Sequence, residues 1–297
     1  MAAGPLVLEG PAAYRETLEG WAARARVFLP ELERELGVAP AAPILMVLIP
    51  PDTSPYPAVA RLDAAAPPWA AGFALSDARV GGVRIARAER YPFGDAVGVL
   101  AHEVAHVLIH DAAAPAGGEL PRWFAEGVAT RAQRRWSLRD AVVYSSALLG
   151  RSLPTLGALD RAFVSSEPSA RLAYAASFDF IDWSADEYGE DVVRRVLRST
   201  ARGRPFAEAW REATGVPLDR SEASWRRTSL ALYRWVPAVT GAGTLWLAIT
   251  LLFLVASWRR RARTRALYER WEEDEPELHP REDPEVRRRD DGGDWSH

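Results

Sequence analysis

Leu100-Ala101-His102-Glu103-Val104-Ala105-His106-Val107-Leu108 is followed, twenty residues beyond its second histidine, by the carboxylate of Trp123-Phe124-Ala125-Glu126-Gly127. On a helix, positions 102 and 106 lie one turn apart, so both imidazoles project from one face and can hold a single metal ion through nitrogen. Glu103 stands beside them, badly placed to share that ion but well placed to take a proton from a metal-activated water and pass it to a leaving amine. Val97, Leu100, Ala101, Val104, Val107 and Leu108 form the opposite stripe, which packs the helix on a core.

Three fixed positions also arise by chance in helices whose histidines are merely solvated. Two features weigh against that reading. The residues flanking the pair are uncharged, as burial of this helix requires, and the chain has only five histidines, two of which sit in the motif. There is no cysteine, so a metal here must be held by imidazole and carboxylate. Catalytic zinc takes three protein ligands and keeps a position open, two histidines and one carboxylate being an established set, and Glu126 supplies the third. The expected ligands are therefore His102, His106 and Glu126, with Zn2+ as the ion.

Outward from the motif, Tyr14 to Leu36 has apolar residues at helical spacing and ends at Gly37, with Pro30 expected to kink or split it. Ile44 to Ile49 is a short apolar run bounded by prolines and reads as a buried strand. A Pro-rich loop from Pro50 to Pro68 follows, then two strands at Gly72 to Leu75 and Val83 to Ala86. Helical patterns run from Asp95 to His110, Pro121 to Arg135, Arg171 to Tyr188, Asp191 to Ala201 and Pro205 to Thr214. Strands early and helices late make an α+β unit of ordinary size.

Hydrophobic residues at 48% and charged residues at 26% place most of the chain among globular proteins. The net charge of −3, with arginines scattered outside one cluster, excludes a nucleic-acid-binding face. All basic residues other than histidine are arginine, which with the abundant Ala, Gly and Pro points to a GC-rich bacterial genome. Val236 to Ser257 contains no charge, and as a helix of that length it rises roughly 33 Å, enough to cross a bilayer. Trp235 and Trp258 bracket it, and Arg259, Arg260, Arg261, Arg263 and Arg265 follow. By the positive-inside rule that sets the tail in the cytoplasm and the large domain outside. The expected organisation is a catalytic domain over 1–235, one transmembrane helix over 236–258 and a disordered charged tail over 259–297. Met1 to Gly20 lacks a basic n-region followed by an apolar core, so export calls for a signal beyond these residues.

His102-Glu103-Val104-Ala105-His106 and Pro121-Arg122-Trp123-Phe124-Ala125-Glu126-Gly127-Val128-Ala129 resemble the gluzincin metallopeptidases, most closely the bacterial peptidase MA-like domains, from about the first helix to Tyr233. The resemblance implies a thermolysin-like zincin fold with a small sheet above two site helices. It implies Glu126 as third zinc ligand, Glu103 as the residue polarising water, and a peptide or protein as substrate. It implies that the strand before the site helix, here Val83 to Ala86, pairs with an extended peptide. Tyr174, in Ala173-Tyr174-Ala175, is similar to a downstream tyrosine that donates to the oxyanion in related aminopeptidases; packing on Phe178 is the other reading. Thr130 stands where thermolysin has an aspartate that orients a ligand histidine, a departure from the pattern. His110, Trp123, Phe124 and Arg122 read as an exposed helix end, packing, packing and a solvated cation. The function expected is a membrane-anchored zinc peptidase, a catalytically inactive binding or scaffold protein being the alternative. Oligomeric state has no signature in the sequence.

Overall fold

The computed structural model describes residues 1–64, 66, 68–90, 95–113, 119–133, 144–145, 153–240, 246–247, 249–261 and 263. They form a mixed α/β structure, mostly helical with one small sheet. Two units divide the chain, Met1–Val239 and Thr240–His297.

The first unit opens with β1 (Ala2–Ala3) and β2 (Leu6–Glu9), then α1 (Arg15–Leu36). Leu18, Trp21, Ala25, Leu29, Leu32 and Leu36 recur at helical spacing and are buried. Gly37 ends the helix at φ 71°, a left-handed cap open to glycine at no steric cost, its N–H donating to the Glu33 carbonyl at 2.8 Å. Pro30 does not split α1. It lies on the exposed face, where water can meet the carbonyl it leaves without a donor.

β3 (Ile44–Ile49) is central and parallel to both β2 and β5 (Val80–Arg84), which explains an apolar run with little alternation. The sheet order is β1-β2-β3-β5-β4, with β4 (Gly72–Leu75) antiparallel to β5 at the edge. The expected strand Val83 to Ala86 is corrected accordingly. Strand geometry ends at Arg84, and Ile85–Ala88 form the short helix α3, with Ile85 and Ala88 turned inward. The expected loop from Pro50 to Pro68 contains α2 (Pro57–Asp63); Pro57 starts it because the first turn needs no N–H from that position. Between β4 and β5, Arg79 adopts φ 57°. Its guanidinium donates to Asp111 Oδ1 and to the Ala42 carbonyl, both at 2.5 Å.

The helical half comprises α4 (Ala96–Ala113), α5 (Arg122–Gln133), α6 (Leu156–Ala162), α7 (Glu167–Tyr188), α8 (Val192–Thr200), α9 (Phe206–Thr214) and α10 (Leu218–Thr240). Trp123 sits edge-on to Phe124, Phe180 and Phe206, with centroids 5.2–5.8 Å apart, and Phe180 stacks on Trp210 at 5.2 Å. Pairs of this kind add about 0.5–1.5 kcal/mol each to the area they bury. They lock α5, α7 and α9 together. Gly127 permits the closest approach, since a Cβ there would meet the Ser177 carbonyl oxygen at 2.5 Å.

In the second unit residues 251–261 are helical, with Leu252, Phe253 and Trp258 exposed. No helix among the described residues is long and apolar enough to cross a membrane. Residues 241–245 and 248 of the expected span, and 262 and 264–297 of the expected tail, lie outside the described residues.

Candidate metal centre

α4 carries His102 and His106 on one face, and α5 brings Glu126 to them from the next helix. The two Nε2 atoms are 3.1 Å apart. Glu126 Oε2 lies 3.6 Å from that of His102 and 3.3 Å from that of His106. A tetrahedral ion with bonds of about 2.0–2.2 Å requires ligand atoms roughly 3.3–3.5 Å from one another. The three separations bracket that spacing. Without an ion, two imidazole nitrogens this close contend for a proton beside a carboxylate oxygen, and Glu126 Oε2 is buried with no hydrogen-bond partner among the described residues. The described residues thus position a His-His-Glu group to bind a metal.

Burial opposes the Glu126 charge, but the imidazoles of His102 and His106 beside it outweigh burial and hold the carboxyl well below the usual carboxylate range. Burial likewise works to lower the His106 pKa. The Glu126 carboxylate, then Glu103, reverse this and raise it.

Glu103 is buried on the same helix but outside the ligand triad. Burial pushes its pKa up, with Glu126 adding and the histidines opposing. Its carboxylate lies against the edge strand at Gly72, where a Cβ would sit 2.7 Å from Glu103 Oε1 and 2.7 Å from Val99 Cγ1. Only a residue without a side chain lets β4 come this near, a feature that no sequence motif announces.

Tyr174 is brought to the site by α7, its ring 6.4 Å from that of His102 and 5.0 Å from that of Phe163. Burial, then the Glu126 charge, push its pKa up, so the hydroxyl keeps its proton. Thr130 is one turn beyond Glu126, but neither its hydroxyl nor His102 Nδ1, both buried, has a hydrogen-bond partner among the described residues. The departure seen in the sequence is therefore not made good by Thr130. Trp123 and Phe124 are packing residues, as expected.

Two expectations change. His110 is not simply exposed; its Nε2 lies 3.2 Å from Asp77 Oδ1, tying the end of α4 to the turn between β4 and β5. Arg122 is not a merely solvated cation. Its Nε donates to Glu126 Oε1 at 3.3 Å, and its guanidinium lies over the Phe163 ring, 5.0 Å from the centroid. The four-residue spacing to Glu126 was the available signal. Arg131, on the far side of α5, donates to Glu35 at 2.5 Å, Glu190 at 2.6 Å and Asp182 at 3.4 Å, bracing the ligand helix against α1 and α7.

The site lies in a cleft of about 1560 Å³ walled by Trp69, β4, Arg122, Phe163 and Tyr174. The Peptidase MA superfamily model matches residues 26–231, more than half of the chain and all of the site. The chain belongs to the peptidase MA superfamily. That superfamily is typically metal-dependent, in keeping with the triad just described. The chain is also similar to a curated Bacillus subtilis (strain 168) protein named "Uncharacterized protein YhcO", 27% identical over 133 residues, which is 43% of this chain and 40% of that protein. The match thus spans about two fifths of the relative's length. No solved structure matches the chain.

Proposed function

We propose that this peptidase MA superfamily chain is a zinc-dependent, gluzincin-type peptidase of thermolysin-like fold, anchored by a membrane span over 236–258 with its catalytic domain outside the bacterial cytoplasm. The reading of the site rests on one observation above others: His102, His106 and Glu126 present ligand atoms within 4.8 Å of one another beside a second buried carboxylate, Glu103, outside the set. The anchor rests on the uncharged stretch, its flanking tryptophans and the arginines after it.

A zinc ion held by those three side chains supplies Lewis-acid polarisation of the scissile carbonyl and makes water nucleophilic at neutral pH. Glu103 takes the proton of the attacking water. Burial raises its pKa toward the working range, which suits a group that must accept that proton and return it to the leaving amine. Tyr174, protonated, donates to the developing oxyanion. The peptide lies along β4, the edge strand at the cleft, rather than along the internal β5; main-chain pairing there gives affinity with little demand on side chains.

A second reading, a peptidase-like binding or scaffold protein, is favoured by His102 Nδ1 and Thr130 Oγ1, since a ligand histidine usually has its other nitrogen held by an acceptor. Elemental analysis of the purified full chain, with peptide cleavage assayed beside it, separates the two. The peptidase reading expects about one zinc per chain, loss of it in His102→Ala, and a Glu103→Gln variant that keeps zinc and loses cleavage by roughly 10²–10⁴-fold. Zinc bound without cleavage by the native chain supports the scaffold; no zinc after reconstitution refutes the hydrolase.

A further inference from the structure

Among the described residues five arginines line the cleft, Arg84, Arg87, Arg90, Arg122 and Arg171, and apart from Glu103 and Glu126 at the site the only acidic side chain lining it there is Asp63. Composition does not produce this, because the chain as a whole carries a net charge of −3. Asp63 is already used by Arg84, which donates to it at 2.6 Å and to the Ala70 carbonyl at 2.8 Å, holding the wall together. Arg87 and Arg90 are exposed along the same wall; Arg87 donates to the Trp69 carbonyl at 3.3 Å. On the opposite wall Arg171 is exposed one helical turn before Tyr174, and Arg122 has 46% of its side chain exposed.

Arg122 is the cation nearest the reaction. Its Nε contacts the ligand carboxylate, and the face of Phe163 holds its plane. If Glu126 shares its charge with a bound cation, its hold on the guanidinium weakens, and the N–H groups not engaged by Glu126 or Tyr174 are left to meet another anion. A planar guanidinium receives a carboxylate through two parallel N–H bonds, which an ammonium cannot do.

We infer that the cleft selects peptides carrying a carboxylate close to the scissile bond, either a free C-terminus or an Asp or Glu side chain, with Arg122 as its specificity-determining receptor and Arg87, Arg90 and Arg171 supplying the surrounding positive field. This rests on the peptidase reading above. Phosphate groups suit arginine equally, but the edge strand on the same wall favours an extended peptide over a nucleic-acid strand.

The test uses zinc-loaded, full-length Glu103→Gln protein, so that binding is read without turnover. Fluorescently labelled peptides of matched sequence are titrated by anisotropy: one with a free C-terminus and an internal Glu, one amidated at the C-terminus, one with Glu replaced by Gln. The expected result is that the parent peptide binds about tenfold tighter than at least one neutralised form, the preference shrinking at high salt. Loss on amidation assigns the carboxylate to the C-terminus; loss on Glu-to-Gln replacement assigns it to a side chain. Adding Arg122→Gln should bring the preference ratio close to one, and adding Arg122→Lys should leave an intermediate ratio. Arg171→Gln should narrow the ratio about twofold, and it carries the test if Arg122→Gln loses its zinc.

Equal binding of all three peptides overturns the inference, as does a ratio unmoved by both arginine-to-glutamine changes, or stronger competition by a single-stranded oligonucleotide than by any peptide. Acid-selective binding with no cleavage of these peptides by the native chain supports the inference and refutes the peptidase reading. Cleavage without acid preference does the reverse.

Discussion

Gly72→Ala tests whether the edge strand positions the Glu103 carboxylate, the proposed proton acceptor. The glycine adopts ordinary backbone angles, so alanine meets no torsional obstacle; its methyl carbon would lie 2.7 Å from Glu103 Oε1, 2.9 Å from Glu103 Cγ and 2.7 Å from Val99 Cγ1. Restoring normal van der Waals contact requires a displacement of about 0.7 Å. Val99, β-branched on a buried helix, has little freedom to yield, so the Glu103 side chain moves. A 1 Å misplacement of a reacting group costs about 10²-fold, which sets the expected loss in kcat at about 10–100-fold. Crowding of this kind costs about 1–3 kcal/mol, offset by about 0.4–1 kcal/mol from the stiffer unfolded chain, for a net loss near 1–2 kcal/mol. None of the atoms met belongs to a metal ligand, so zinc content stays at the native value. Steady-state cleavage, elemental analysis and a denaturant titration on one preparation read all three quantities. Native kcat in Gly72→Ala, or a loss of zinc matching the loss of rate, would show that β4 does not position Glu103.

Tyr174→Phe should lower kcat by about 10–10³-fold and leave KM near its native value, because the hydroxyl is needed only as the oxyanion forms; an equal rise in KM instead would make it a binding residue. Gly127→Ala places a carbon 2.5 Å from the Ser177 carbonyl oxygen and must part α5 from α7, so it should destabilise by about 1–3 kcal/mol and weaken zinc binding through Glu126. A thermal midpoint and zinc affinity at native values would exclude that account. In the metal-free chain the raised His106 pKa contributes stability fully present below its ordinary 6.5 and lost as pH rises through the raised value. Glu126, with its pKa lowered, contributes stability above the ordinary 4.5 that is lost as pH falls through the lowered value. Metal binding displaces the His106 proton. Thermal midpoints with chelator should therefore fall above pH 6.5 while those with zinc do not, and parallel curves would show that His106 is not a ligand.

The ligand triad was legible because its members sit at spacings that local geometry converts directly into proximity: one helical turn for the histidines, and a glutamate within a second amphipathic segment. β3 was equally legible, its Ile44–Ile49 bounds matching a run that burial on both faces makes uniformly apolar. β2 was missed because four residues, Leu6–Glu9, are too few to show a period. α2 was hidden among prolines that usually mark loops. Neither Gly72 nor the arginine walls could be found by pattern, since their roles arise from tertiary approach between segments distant in the chain. Antiparallel pairing of Gly72–Leu75 with Val80–Val83 moved the free edge from β5 to β4, which strand propensity alone does not decide.

The turn between β4 and β5 is fixed to the end of α4 by Arg79 on Asp111 and by Asp77 on His110, and β4 touches α4 again where Gly72 meets Glu103. Strand and helix α4 are thereby joined at two points, Glu103 and the His110–Asp111 pair, two helical turns apart. On the proposed reading, this joint fixes the register between a peptide on β4 and the His102–His106 face of α4. Arg87, Arg90 and Arg171 stand on segments outside this joint. If the proposed function holds, selection can replace them, and with them the substrate preference, without disturbing that joint.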